Sequence, residues 1–324
     1  MTKGERKVNG KKISFYLLKF RVLIIFAAMF IFMTIMSPFF LTQANVLNMV
    51  RQCSINGLLA VGMTFVLITG GIDLSVGSIL SLSAIVGCSF IQEGSSYPIG
   101  LCIAIALTIG AVIGLINGVV IAHGKVPAFI VTLGSQLMAG GAALVFNNGS
   151  PIPGLKAAYN QIGAGKLFGV IPYPIIIFLI VLAIGSITLK KTLYGRYVYA
   201  VGGNETAAKA CGLNTKALIV SVYVISGVCA AIAGIVLSAR VKTATAIAGE
   251  GYELDAIAAA VLGGTSLSGG VGNMWGTLIG VLIIGLLDNG MTLLNVQSYY
   301  QDIIQGFIII LAVFIDVTMN KKKN

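Results

Sequence analysis

Apolar runs alternate with short polar breaks along almost the whole chain. Ten runs stand out, at 19–40, 48–69, 73–92, 98–121, 127–147, 171–189, 217–239, 252–262, 274–290 and 301–318. Most approach the roughly 20 residues that carry an α-helix across about 30 Å of hydrocarbon. The eighth is short. Spanning segments must satisfy their backbone groups internally, so the pattern predicts an all-α polytopic membrane protein of about ten transmembrane helices.

Composition sharpens this picture. The 324 residues are 57% hydrophobic and only 10% charged, which excludes an ordinary water-facing surface. Forty-one glycines suit helices that pack closely or break. The five cysteines, Cys53, Cys88, Cys102, Cys211 and Cys229, show no CxxC spacing and are read as small packing residues. The first run follows a basic stretch and has no small-residue cleavage pattern, so it is expected to be retained, with residues 1–18 as a cytoplasmic tail.

Charge supplies orientation. With the N-terminus inside and all ten runs crossing, the inner segments hold Lys3, Arg6, Lys7, Lys11, Lys12, Lys19, Arg21, Lys125, Lys190, Lys191, Arg196, Lys209, Lys216 and Lys321 to Lys323. The outer ones hold Arg51, Lys156, Lys166, Arg240 and Lys242. This asymmetry follows the positive-inside rule and places both termini in the cytoplasm. The net charge of +11 then reflects orientation and contact with anionic lipid, with no need for nucleic acid as a partner.

Two glycine-rich turns share the pattern GGxxLSxG, at 70–77 and 263–270. In the first, Gly70 and Gly71 allow a tight reversal. Asp73 is expected to cap a helix starting at Leu74, accepting backbone N–H bonds at its positive end. Internal repeats of this kind occur in transporters, with the pathway at the repeat interface.

The stretch LKKTLYGRYVYAVGGNETAAKACGLNTKAL, 189–218, is the one extended polar segment within the helical array. Asn204 can cap, Glu205 favours a first turn, Lys209 a last turn, and Gly212 can end the helix. A short helix over 205–211 is predicted. It has too little apolar surface to stand alone, so it is expected to dock on another protein, a solvated connecting loop being the alternative.

Several chemistries are not signalled. There is no GxxxxGK[ST] for nucleotide hydrolysis, no GxSxG, no HExxH and no paired-carboxylate arrangement. The single histidine, His123, has no cysteine partner or metal-ligand spacing. No catalytic residue, metal site or bound cofactor is expected in this chain.

Four stretches carry a family resemblance: AVGMTFVLITGGIDLSVGS (60–78), VPAFIVTLG (126–134), LYGRYVYAVGGNETAAKACGLN (193–214) and GYELDAIAAAVLGGTSLSGGVGNMWGTLIG (251–280). They resemble the membrane permease subunits of bacterial ABC importers for sugars, the ribose-type permeases in particular, over nearly the whole chain. The resemblance implies a single permease domain over 1–324 with a type II importer-like fold, working as a homodimer in the bacterial cytoplasmic (inner) membrane. It implies a separate ABC ATPase subunit that binds ATP-Mg, and an extracytoplasmic sugar-binding protein. Residues 190–216 fall at the family's ATPase-coupling loop, which assigns coupling to Gly203, Asn204, Glu205, Ala207, Ala208 and Gly212.

A neutral sugar needs a weakly binding cavity of small, hydroxyl and amide side chains without deep charge. Asn56, Thr64, Asn117 and Asn289 are the pathway candidates, each with interhelical hydrogen bonding as the competing reading. Outward-facing Arg51, Arg240 and Lys242 either anchor in lipid headgroups or dock the binding protein. The expected function is inward translocation of a monosaccharide, ribose first. Alternatives are another sugar or autoinducer-2, or an ion-coupled secondary carrier, although such a carrier should keep an acid within a span.

Overall fold

A computed structural model describes residues 21–321. The expected tail at 1–18 lies outside the described residues. In chain order the helices are α1 (Arg21–Met36), α2 (Gln43–Ile68), α3 (Val76–Cys88), α4 (Ile99–Gly124), α5 (Ala128–Phe146), α6 (Ala157–Ala164) and α7 (Tyr173–Lys191). They continue as α8 (Leu193–Gly203), α9 (Glu205–Ala210), α10 (Thr215–Val241), α11 (Tyr252–Leu262), α12 (Met274–Leu293) and α13 (Ser298–Lys321). Each predicted run holds a helix. Among the described residues, six helices (α2, α4, α5, α7, α10 and α12) are long and apolar enough to cross a membrane. Helices α1 and α3 are apolar but shorter, and α11 has 11 residues.

Helix α2 forms the axis of the packing. Its residues from Cys53 to Ile68 are all buried, enclosed by α7, α10, α11 and α12. Such a helix is apolar all round because every face meets protein. Helices α4, α5 and α7 instead expose large side chains outward, among them Ile116, Leu137 and Ile184, as lipid contact requires.

Helix α10 is held to α4 by backbone contact. Gly110, Gly114 and Gly118 recur every fourth residue, forming a smooth stripe along α4 that lies on the backbone of α10 at Gly227, Tyr223 and Val220. A Cβ added at Gly110 would stand 2.2 Å from the Gly227 carbonyl oxygen. Where lipid offers no hydrophobic drive between helices, this close fit supplies association through dispersion.

Two expectations change here. The break between the predicted runs at 127–147 and 171–189 is folded and not simply a connection: Ile152–Pro153 (β1) pairs antiparallel with Thr243–Ala244 (β4), and Lys166–Leu167 (β2) with Ile171–Pro172 (β3). Helix α6 packs on α10, and Tyr159 is fully buried with its hydroxyl 2.7 Å from Ser238 Oγ. The polar segment 190–216 is also more ordered than predicted, because α8 precedes the short helix. Thr192 Oγ1 caps α8 by accepting the Gly195 N–H at 3.1 Å.

Gly110→Val should force α4 and α10 apart and cost about 1–3 kcal/mol, the usual scale of overpacking. Gly100→Val is the control, since no atom lies within 4 Å of its added Cβ. Thermal unfolding of the purified protein in detergent should separate the two, and equal melting would refute the backbone contact.

Candidate functional site

At one end of the molecule the short helix α9 stands out from the helical array. Asn204, in extended conformation, caps it by accepting the Ala207 N–H at 2.9 Å. Gly212, at φ +83°, closes the segment in the left-handed region that glycine adopts without strain. Gly203, Asn204, Glu205, Ala207 and Gly212 are exposed. Ala208 is buried, so it seats α9 on the body of the protein and leaves the opposite face open.

Helix α9 packs on α8 and α10, and the end of α8 enters a junction of three backbones. Gly202 lies in the last turn of α8, where an added Cβ would fall 1.7 Å from the Ile68 carbonyl oxygen and 2.7 Å from Gly270 N. Gly270 N–H donates to that same Ile68 carbonyl at 2.8 Å. Tyr199, on α8, donates its hydroxyl to the Gly272 carbonyl at 2.7 Å. The end of α2, the second glycine turn and the segment leading into α9 thus meet without intervening side chains. Gly70 and Gly269 also touch here, so the two GGxxLSxG turns pack on each other.

Asp73 lies deeper than predicted. Helix α3 starts at Val76 with Ser75 as its capping residue, so Asp73 stands outside the helix and does not cap it from Leu74. Its side chain is fully buried. Oδ1 accepts from Ser75 N at 3.1 Å and Ser75 Oγ at 2.5 Å, and Oδ2 accepts from Ser226 Oγ on α10 at 2.8 Å. Asn117 Nδ2 on α4 donates to Ser75 Oγ at 3.0 Å, and Ser135 Oγ on α5 donates to Asn117 Oδ1. The carboxylate therefore terminates a chain of donors that ties α3, α4, α5 and α10. Gly70, at φ +80°, and Gly71, whose Cβ position is filled by the Tyr223 hydroxyl, shape the turn as expected. The available signal was Asn117, an amide within the apolar helix α4 that needs a buried partner.

The four pathway candidates separate. Thr64 is buried against Thr277 Oγ1 at 2.7 Å, an interhelical hydrogen bond. Asn117 belongs to the Asp73 network. Asn289 lines a cavity of about 300 Å³ at the opposite end of α2 and α12 from α9, and exchanges hydrogen bonds with Asn45 at 2.7 and 2.9 Å. Asn56 stands beside that cavity, its Nδ2 donating to Asp255 Oδ2 at 3.2 Å. Carboxylates of Asp255, Asp288 and Asp302 share the lining, contrary to the expectation of a cavity without charge.

The basic residues also diverge. Arg51 is half-buried and donates to Asn48 Oδ1 at 3.2 Å, and Arg240 is half-buried near Tyr252 and Arg51. Only Lys242 is exposed. Among the described residues no group of three or more His, Cys, Asp or Glu is placed to hold a metal.

Comparison with known proteins gives consistent matches. The family described as branched-chain amino acid transport system / permease component matches residues 45–313. The chain is 43% identical to the ribose import permease protein RbsC of Haemophilus influenzae, covering 98% of this chain and 99% of that one. It is 48% identical to RbsC of Bacillus subtilis, over 88% of each chain. The D-allose transport system permease protein AlsC of Escherichia coli is 38% identical, over 90% of this chain and 89% of its own. No solved structure matches.

Asp73→Leu strands the donors of Ser75 and Ser226 and should cost about 3 kcal/mol or more. Ser226→Ala, which removes one donor to a charged acceptor, should cost about 1.5–3 kcal/mol. Thermal unfolding of the purified variants reads both, and a Leu variant as stable as the parent would show that the buried network contributes nothing.

Proposed function

Because the chain belongs to the family of branched-chain amino acid transport system permease components, we propose that it is the membrane-spanning subunit of an ATP-driven ABC importer that carries a monosaccharide inward, ribose first. The relatives' names support the sugar class, with allose, xylose or autoinducer-2 as the next substrates. The whole chain acts as one translocation domain of about ten helices in a type II importer-like arrangement. Two copies form the working dimer in the bacterial inner membrane, with both termini in the cytoplasm. The chain performs no covalent chemistry; ATP-Mg is bound and hydrolysed by the partner ATPase.

The observation that carries this reading is the placement of α9. It is short, capped by Asn204, exposed on the face bearing Glu205 and Ala207, seated by buried Ala208, and joined to α8, whose Gly202 enters the junction with Ile68 and Gly270. An ATPase gripping α9 would move α8 as a lever. With backbone touching backbone at the junction, the motion passes to the ends of α2 and α12 with little lost to side-chain rearrangement. The Asp73 network holds α3, α4, α5 and α10 as one body against that pull. Alternating access then amounts to one body tilting against the other.

A binding protein would approach from the opposite end. Lys242, exposed beside α10, is the residue best placed to steer it; half-buried Arg51 and Arg240 serve the local structure. The second reading, an ion-coupled sugar carrier, is favoured by the carboxylates of Asp255 and Asp288 at the cavity. Sugar uptake into vesicles that persists without an ion gradient but stops without internal ATP would exclude it.

The Ala207→Cys variant should crosslink to the ATPase and be shielded from maleimide when the ATPase is bound. Glu205→Lys should lower stimulated ATP hydrolysis and uptake by roughly tenfold, the effect of losing about 1.4 kcal/mol of docking energy. Equal labelling of the Ala207→Cys variant with and without ATPase would overturn the docking assignment.

Lys242→Glu should weaken binding-protein stimulation of ATP hydrolysis more at low than at high ionic strength, and leave basal hydrolysis unchanged. A stimulation curve unaltered at low salt would assign Lys242 to the lipid headgroups.

A further inference from the structure

Three helices carry polar stripes that have no place in a simple lipid-spanning surface. On α2, Asn48, Gln52 and Asn56 recur every fourth residue. On α12, Gly285, Asp288, Asn289 and Thr292 share one face at helical spacing, and on α13 Gln301 and Gln305 do the same. All three stripes converge, with Asp255 of α11, around the cavity of about 300 Å³. Gly285 forms part of the wall, where an added Cβ would collide with Cys53 Sγ.

Asp255 is supplied with donors, accepting from Asn56 and from Gln305. Much of the remaining hydrogen-bonding capacity is unused. Among the described residues nothing donates to the Asp288 carboxylate, and Gln52 has no side-chain partner. Asn56, only 2% exposed, has an Oδ1 without a hydrogen bond although its Nδ2 holds Asp255. Asp288 and Gln52 line the cavity with hydrogen-bonding capacity open to it, and a polar occupant that bonds them gains what an apolar one would lose. The set mixes acceptors, the carboxylates, with donors and acceptors, the amides. A cation could use only the oxygens, and the acids are not gathered to hold a metal. A hydroxyl donates and accepts at once, and a polyhydroxylated neutral molecule matches the whole set. The volume lies at the lower end of small-molecule sites, suited to a single monosaccharide.

We infer that this cavity is a monosaccharide subsite within the protomer, with Asp288 accepting from sugar hydroxyls and Gln52 bonding them from α2. It rests on the sugar-transport reading above, and places the receiving site about 24 Å along α2 from Ile68, at the helical rise of 1.5 Å per residue. The carboxylates make the subsite selective for free hydroxyls, since a deoxy or O-methyl sugar leaves an acceptor unpaired.

The test uses the full chain in lipid nanodiscs, carrying Cys211→Ser and Thr292→Cys. Thr292 lines the cavity and is exposed. Maleimide labelling of the thiol introduced at position 292 is timed with D-ribose, D-xylose or D-allose as the probe. At least one should slow labelling several-fold. Asp288→Leu and Gln52→Leu should each raise the half-protecting concentration about tenfold, equivalent to about 1.4 kcal/mol, each read against that variant's own rate without sugar. Absence of protection by all three sugars, equal protection in the Asp288→Leu variant, or protection by sodium or calcium chloride in place of sugar would overturn the subsite. ATP-driven uptake of the same sugars by the complete transporter is measured in parallel. Uptake without protection defeats the subsite alone, whereas protection without uptake leaves the subsite standing and defeats the transport reading.

Discussion

The structure depends on a single backbone hydrogen bond and the glycine laid across it: Gly270 N–H to the Ile68 carbonyl, with Gly202 pressed onto both. The last carbonyls of an α-helix have no partner within it, and in an apolar medium they must find one elsewhere. For α2 that partner comes from the second glycine turn. Only residues without Cβ let the end of α8 reach the same spot. Solving a hydrogen-bonding problem at the end of the central helix thus joins it to the segment that carries α9. The same contact is a structural necessity and a mechanical linkage.

A second constraint governs the other side of the molecule. Asp73 is fully buried, and a buried carboxylate is tolerable only with its oxygens supplied with donors. Ser75 and Ser226 supply them, Asn117 in turn donates to Ser75 and Ser135 to Asn117, each from a different segment. Such networks fix position more than they add stability, because any sliding of one helix breaks several bonds at once. With the glycine stripe of α4 lying on α10, they make four helices behave as one body. Helix α2 packs on this group through α10 and also on α11 and α12, and the segment leading into α9 touches its end.

The polar cavity lies at the other end of α2. Its groups are drawn from α2, α11, α12 and α13, so tilting α2 relative to α13 would change its shape. The linkage at one end of α2 and the cavity at the other are separated by the buried length of the helix, whose close-packed surroundings resist bending. A packed helix transmits displacement as a rod.

Much of this was legible in the sequence because it rests on local rules. Apolar run length located every long helix, Asn204 and Gly212 bounded α9, and the family motifs matched over nearly the whole chain. Glycines at 70 and 71 announced a turn for conformational reasons that need no partner. Tertiary structure alone decided the rest. Whether Asp73 caps a helix or lies buried depends on Ser226, 153 residues away. Whether Thr64 faces a pathway or Thr277 depends on which helix lies alongside. The two similar glycine turns gave no hint that they touch. Periodicity shows that a helix has a polar stripe, but the stripes of α2, α12 and α13 become a cavity only when packing turns them toward one another. Backbone propensity and run length act over a few residues, whereas the partner of a buried polar group is chosen by the fold.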